Sequence, residues 1–288
     1  MANVAKGTRA VAKGVLVDLT KCIGCGSCVV ACKMYNGNEW IEDRAPTSGE
    51  EAALADANWT VVQQCRISKE TGQNLHIGGM SPLIKTDGSE EWRFVKRQCL
   101  HCKDPACVSS CFATAFRQND SGAVTYYPNL CVGCRYCMLA CPFSIPKFEW
   151  GKAIPVLTKC TMCHNRIEHG DAPACVSVCP TNVMKFGEQE QLLKEAWDII
   201  HDDDRYMRHV YGEEEAGGTA WIYISDKPFD VLGFKTNVPR RSIPSYTSNF
   251  MHATPIVGVV WAAILTCLYF ITKRRSKRKK EQKTSESA

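Results

Sequence analysis

The sequence predicts an α+β protein made of small strand, loop, helix and strand units, with one apolar helix near its C-terminus. Three observations carry that expectation. Sixteen of the eighteen cysteines fall into four tight groups. Short β-prone pieces flank the groups, and an uncharged run from Ile256 to Thr272 stands just before a basic tail.

The chain has 288 residues, enough to bury a core without disulfides, so the cysteine excess points to metal or redox chemistry. Its net charge of +5 is a property of the tail: the sixteen residues from Lys273 carry +6, leaving the rest at −1. A neutral body argues against a nucleic-acid-binding face.

The N-terminal stretch MANVAKGTRAVAKGVLVDL has no uninterrupted apolar core, small-residue cleavage site or twin-arginine pair, so no signal peptide is expected. The pieces GVLVDLTKC, WRFVKRQC, AVTYYPNLC and AIPVLTKC each lead as a strand into a cysteine group, and AFRQ, SIPKFEW and NVMKFG follow three of the groups. From Lys33 to Gln98 the chain reads as an irregular insertion, with Trp40, Asn58-Trp59, Gly78-Gly79 and Trp92 scattered through it, suited to partner contact. EQEQLLKEAWDII puts Leu192, Leu193, Ala196, Trp197 and Ile200 on one helical face. TAWIYIS reads as a strand, and Phe229 to Phe250 as an extended linker. The apolar run is at the lower edge of spanning length, with Pro255 at its first turn.

The groups are Cys22, Cys25, Cys28, Cys32; Cys99, Cys102, Cys107, Cys111; Cys131, Cys134, Cys137, Cys141; and Cys160, Cys163, Cys175, Cys179. CIGCGSCVVAC repeats as CVGCRYCMLAC, and PACVSSC as PACVSVC, so two types alternate. In C-x2-C-x2-C-x3-C-P, three thiolates on one tight loop cap three irons of a 4Fe-4S cubane while the fourth ligates a neighbouring cluster. Gly24 and Gly133 let the loop backbone approach the sulfides. Zinc suits the pairs Cys99/Cys102 and Cys160/Cys163, but three cysteines within seven residues would strand one thiol, and this occurs twice. Sixteen thiolates supply four 4Fe-4S clusters. Cys65 and Cys267 read as small buried hydrophobes. His101 and His164 are spacers or potential-tuning donors at most, and His252, just before the apolar helix, reads first as a polar interfacial residue, with approach to a partner's quinone or haem the alternative. No carboxylate pair, nucleophile-base set or phosphate loop stands out, so the sequence presents no active site.

The four-group arrangement resembles the electron-transfer subunits of respiratory membrane oxidoreductases. The single C-terminal helix and YGEEEAGGT, Tyr211 to Thr219, are most similar to those of nickel-iron hydrogenases and formate dehydrogenase. The resemblance implies crossed ligation: Cys22, Cys25, Cys28 with Cys179; Cys160, Cys163, Cys175 with Cys32; Cys99, Cys102, Cys107 with Cys141; and Cys131, Cys134, Cys137 with Cys111. The repeat order itself leaves pairing of consecutive groups open. Phe112 and Lys33 replace the proline that follows Cys141 and Cys179. The domains expected are a split outer ferredoxin-like module (1–36 and 155–187), a partner-contacting insertion (37–95), a nested inner module (96–154), an extension and linker (188–253), a transmembrane helix (254–272) and a basic tail (273–288).

The implied partners are a catalytic oxidoreductase subunit (nickel-iron hydrogenase favoured over a molybdopterin enzyme such as formate dehydrogenase) and an integral membrane quinone-reactive or cytochrome b subunit. A stand-alone membrane-tethered polyferredoxin is the alternative. The eight basic residues after the apolar run, against Arg240 and Arg241 before it, place the tail in the cytoplasm and the cluster domain outside, exported with a partner.

Overall fold

The computed structural model describes residues 12–40, 46–75, 88–151 and 156–286. Gly78-Gly79 and the start of AIPVLTKC lie outside these. The chain divides into two units, Met1–Ile243 and Pro244–Ala288.

In the first unit, strand β1 (Lys13–Asp18) leads through a short 3-10 turn to Cys22, and α1 (Ser27–Asn36) follows. Next come β2 (Ser48–Gly49), β3 (Val61–Ser68) and β4 (Glu90–Arg97). The centre holds α2 (Ala106–Ser109), β5 (Phe116–Gln118), β6 (Val124–Tyr126), α3 (Tyr136–Ala140) and β7 (Lys147–Phe148). After these run β8 (Leu157–Thr158), α4 (His164–Glu168), α5 (Ala174–Ser177), β9 (Met184–Glu188), α6 (Gln189–Asp202) and β10 (Trp221–Ile224). Each cysteine group is thus preceded by a strand, as its β-prone lead predicts.

The sheets show how distant segments meet. β1 pairs antiparallel with β9, Val15 facing Phe186, and parallel with β10, Val17 facing Tyr223. This brings the lead of the first cysteine group to the strand after the fourth. β5 pairs with β6 inside the central segment, whereas β7 pairs with β8 and β4 with β3. The central segment is therefore tied to the chain that follows it through β7 and β8.

Several readings change. The insertion is not irregular throughout, because β3 and β4 form an eight-residue antiparallel ladder from Val61/Arg97 to Ser68/Glu90. Gln63, Gln64 and Arg66 break the apolar alternation that would have marked β3. Phe229 to Phe250 is not simply an extended linker: Phe229, Leu232 and Phe234 are buried, and Phe229 and Phe234 pack on Tyr211 with ring centroids 5.2 and 4.7 Å away. Burying these side chains holds the segment on the core.

The second unit consists mainly of the long helix α7 (Ile243–Glu286), within which Pro255 lies. Proline costs one backbone hydrogen bond there, but SYTSNFMHAT contains no breaker, so the helix extends upstream instead of starting at Pro255. This helix is long and apolar enough to cross a membrane. Cys267 is exposed on it, not buried.

The amphipathic expectation for α6 holds: Leu192, Ala196 and Ile200 are buried with Leu16, Ile222 and Ile224, and Leu193 and Trp197 pack at the margin. α6 covers one face of the β10-β1-β9 sheet. The opposite face supports the cysteine loops.

Candidate metal centres

The first C-x2-C turn of each of the four groups uses the same backbone device. Their third residue, Gly24, His101, Gly133 or Met162, has φ of 72°, 50°, 70° or 58°. This left-handed step turns the chain within three residues, and it aims amides at sulfur: Gly133 N-H donates to Cys131 Sγ at 3.4 Å, and Met162 N-H to Cys160 Sγ at 3.3 Å. Sequence reasoning assigned this role to the glycines and missed His101 and Met162, which carry the strain of a side chain at positive φ. At Gly24 there is also no room, since a Cβ would fall 2.5 Å from the Phe94 ring.

The short helices then distribute the remaining thiols. One cavity is lined by Cys22, Cys25, Cys28 and Cys179, with Lys96 in its wall. Here the last cysteine of the fourth group meets three from the first. Cys32, one turn beyond Cys28 on α1, instead lies within Coulombic reach of Cys175 and Cys163, and Cys160 reaches both Cys32 and Cys175. Cys102 senses Cys99, Cys141 and Cys107. Cys137 senses Cys131, Cys111 and Cys134. We number these sets one to four in that order.

The sets adjoin in sequence. Cys28 of set one reaches Cys175 of set two. Cys160 of set two and Cys99 of set three share a buried apolar cluster, and Cys107 of set three reaches Cys137 of set four. Cys25 and Cys134, in the two outermost sets, are exposed.

Burial dominates the thiol chemistry. It pushes Cys28 up to about 11 and Cys32, Cys107 and Cys137 up to about 12, while Cys102 and Cys160 rise well above the ordinary range. Cys25 is the contrast: its hydrogen bond with Ser27 lowers it. Such clusters of reluctant thiols suit iron, which ionises the thiol it binds. Among the described residues, no three His, Cys, Asp or Glu converge tightly enough for one metal ion. Thiolates on separate corners of a cubane stand wider apart than ligands of a single ion.

Two further observations fit a 4Fe-4S group. The Val124 N-H donates to His101 Nδ1 at 2.9 Å, so the proton of this neutral ring is on Nε2, which is buried without a protein acceptor. Its neutrality follows from burial, which lowers its pKa well below the ordinary value. Lys96 and Lys159 are buried with neutral hydrogen-bond acceptors and thiols around them. An anionic, sulfide-bearing group satisfies all three.

The segment Tyr211 to Thr219 braces this region. Lys103 N-H donates to the Gly218 carbonyl at 2.9 Å, and Ala220 N-H to that of His101 at 2.9 Å. Glu215 holds the segment's own turn, accepting from Gly212 N-H at 2.7 Å and pairing with His209 at 2.9 Å. His164 directly follows Cys163 and starts α4.

The fold and its thiol sets define an iron-sulfur electron-transfer protein. Residues 90–189 match a 4Fe-4S dicluster domain and residues 13–34 a 4Fe-4S binding domain. A protein of Nitratidesulfovibrio vulgaris is 41% identical, covering 92% of this chain and 68% of its own. The nitrate-inducible formate dehydrogenase iron-sulfur subunit of Escherichia coli K12 is 34% identical over 74% of this chain and 69% of its own. Hydrogenase-2 operon protein HybA of Escherichia coli O157:H7 is 29% identical over 92% and 85%. The chain belongs to the family of iron-sulfur electron-transfer subunits of respiratory oxidoreductases, and it carries multiple 4Fe-4S clusters.

Proposed function

We propose that the four crossed sets, sixteen cysteines in all, hold four 4Fe-4S clusters in a line from set one to set four, and that the line joins two partner subunits. A 4Fe-4S cluster takes up and releases one electron at a time. The residues of this chain fix spacing, exclude water and set the charge around each position. The observation that carries the reading is the succession of adjoining sets with an exposed cysteine at each end, Cys25 and Cys134. Exposed apolar side chains surround both ends, Ile23 and Met34 at one and Val132 and Leu139 at the other, as a subunit interface requires.

One partner is a catalytic oxidoreductase subunit, with a nickel-iron hydrogenase favoured over a molybdopterin formate dehydrogenase by the similarity to HybA along nearly the whole chain. The other is an integral membrane subunit that handles quinone, beside which α7 spans the bilayer with its basic end in the cytoplasm. The cluster domain then lies outside the cytoplasmic membrane and travels there with a partner. Within unit one we read 1–36 with 155–187 as the outer ferredoxin-like module and 96–154 as the nested inner one. The β1-β9 pairing supports the first and the β5-β6 pairing the second.

Purification of the full chain in mild detergent is the test. A large catalytic chain should accompany it in fixed proportion. Recovery of the four-cluster chain alone would favour a membrane-tethered polyferredoxin. Protease added to intact spheroplasts should remove the cluster domain, and its survival there with loss from inside-out vesicles would reverse the orientation.

A further inference from the structure

Among the described residues, four cationic side chains are buried: Lys33, Arg66, Lys96 and Lys159. They differ in what balances them. Arg66 has carboxylates beside it, Glu50 and Glu90. The three lysines have none. Lys33 Nζ donates to the carbonyls of Glu39 and Ala57 at 2.7 and 3.1 Å. Lys96 Nζ donates to Thr60 Oγ1 at 2.9 Å and Gln98 Oε1 at 2.8 Å, and lies 4.5 Å from the centre of a Trp221 ring. Lys159 Nζ donates to the carbonyls of Val124 and Cys160 at 2.6 and 2.7 Å and stands 3.8 Å from Cys99 Sγ.

A buried ammonium with only neutral acceptors is costly unless another anion is near. For these lysines the neighbouring anions are the thiolates. Lys96 lies between sets one and two, within Coulombic reach of Cys28, Cys175 and Cys160. Lys159 lies between sets two and three, reaching Cys160, Cys99, Cys107 and Cys141. Lys33 adjoins Cys32 of set two. Set two therefore has three buried cations, sets one and three have one each, and set four has none. Arg135, in the loop of set four, is exposed and lies over the Trp150 ring at 4.4 Å.

We propose that these buried lysines rank the reduction potentials along the line, with set two the highest and set four the lowest. The proposal rests on the crossed-set assignment above. Each transfer moves one electron from one set to the next without making or breaking a bond, and the receiving site gains one negative charge. A fixed cation in a poorly polarisable interior favours that gain. Lys96 and Lys159 thus act as positioning charges, and the first electron to enter rests in the interior at set two.

The experiment is an EPR-monitored redox titration of the full chain with its clusters, with iron content measured on the same samples. Lys159→Met should lower the potentials of sets two and three and leave set four unmoved. Lys96→Met should lower those of sets one and two. Lys159→Arg and Lys96→Arg should restore values near the unsubstituted ones. Unchanged potentials at full iron content, or a set-four shift as large as that of set three, would overturn the ranking. If the Met variants lose iron, the unsubstituted protein still decides: the signal altered by Cys163→Ser must be the first to appear on reduction, and its appearance after another overturns the proposal. Should Cys163→Ser and Cys32→Ser alter different signals, the crossed assignment itself fails, which is a distinct outcome.

Discussion

Cys28 and Cys32 stand one turn apart on α1, yet they belong to different thiol sets: Cys28 lines the cavity with Cys22, Cys25 and Cys179, while Cys32 reaches Cys163 and Cys175. A helix separates residues four apart by about 6 Å along its axis, so one rigid element fixes the spacing between two redox sites. α5 with the turn after it does the same through Cys175 and Cys179.

Cys179→Ser should damage the site formed by Cys22, Cys25 and Cys28, far away in sequence. EPR spectra of Cys179→Ser and Cys22→Ser should be altered in the same signal. An effect of Cys179→Ser confined to the signal that Cys160→Ser alters would contradict the crossing.

The two loop glycines should respond differently. Gly24→Ala forces a Cβ against the Phe94 ring at a positive φ, so set one should lose its cluster and about four irons per chain. Gly133→Ala meets nothing within 4 Å and adds only the left-handed strain, about 1–2 kcal/mol. Iron analysis of both variants checks this, and equal losses would show that space at Gly24 is not the constraint.

The His209-Glu215 clamp predicts a pH dependence. Its hydrogen bond to Glu215 raises His209, so that contribution is complete below about pH 6.5 and fades as pH rises through the higher folded value. Glu215 is lowered: burial opposes this, but the bonds from His209 and Gly212 outweigh it. Its contribution is complete above about pH 4.3 and fades as pH falls through the lower folded value. Thermal stability, monitored by cluster absorbance, should therefore fall as pH rises above about 6.5 in the unsubstituted chain and change less in Glu215→Gln. Equal slopes would remove the clamp from the account.

Removing the helix tests the division into units. A chain ending at Ile243 should keep its iron and leave the membrane fraction, because the buried side chains that brace the sets, among them Trp221, Tyr223 and Phe234, all precede that point. Loss of iron on truncation would mean that the helix supports the clusters.

Much of the site was legible because cysteine spacing is a local signal: the turn geometry of C-x2-C is written within four residues. The crossed pairing was implied only by resemblance, since the β1-β9 contact that supports it joins the two ends of the cluster region. Lys96 and Lys159 gave no signal at all. A lysine in a strand or before a cysteine ordinarily reads as solvated, and only the packing of Trp221, Thr60 and Gln98 around Lys96 reveals a buried charge. The strand β3 was hidden for a related reason, because Arg66 is buried by pairing with carboxylates and not by being apolar.

The central claim is that four complete sets of thiolates each hold a cubane. Iron and acid-labile sulfide, measured per chain on anaerobically purified protein, test it most directly. The account predicts about sixteen of each. A value of about twelve would leave one set without a complete cluster, and zinc in place of iron with no sulfide would contradict the electron-transfer reading altogether.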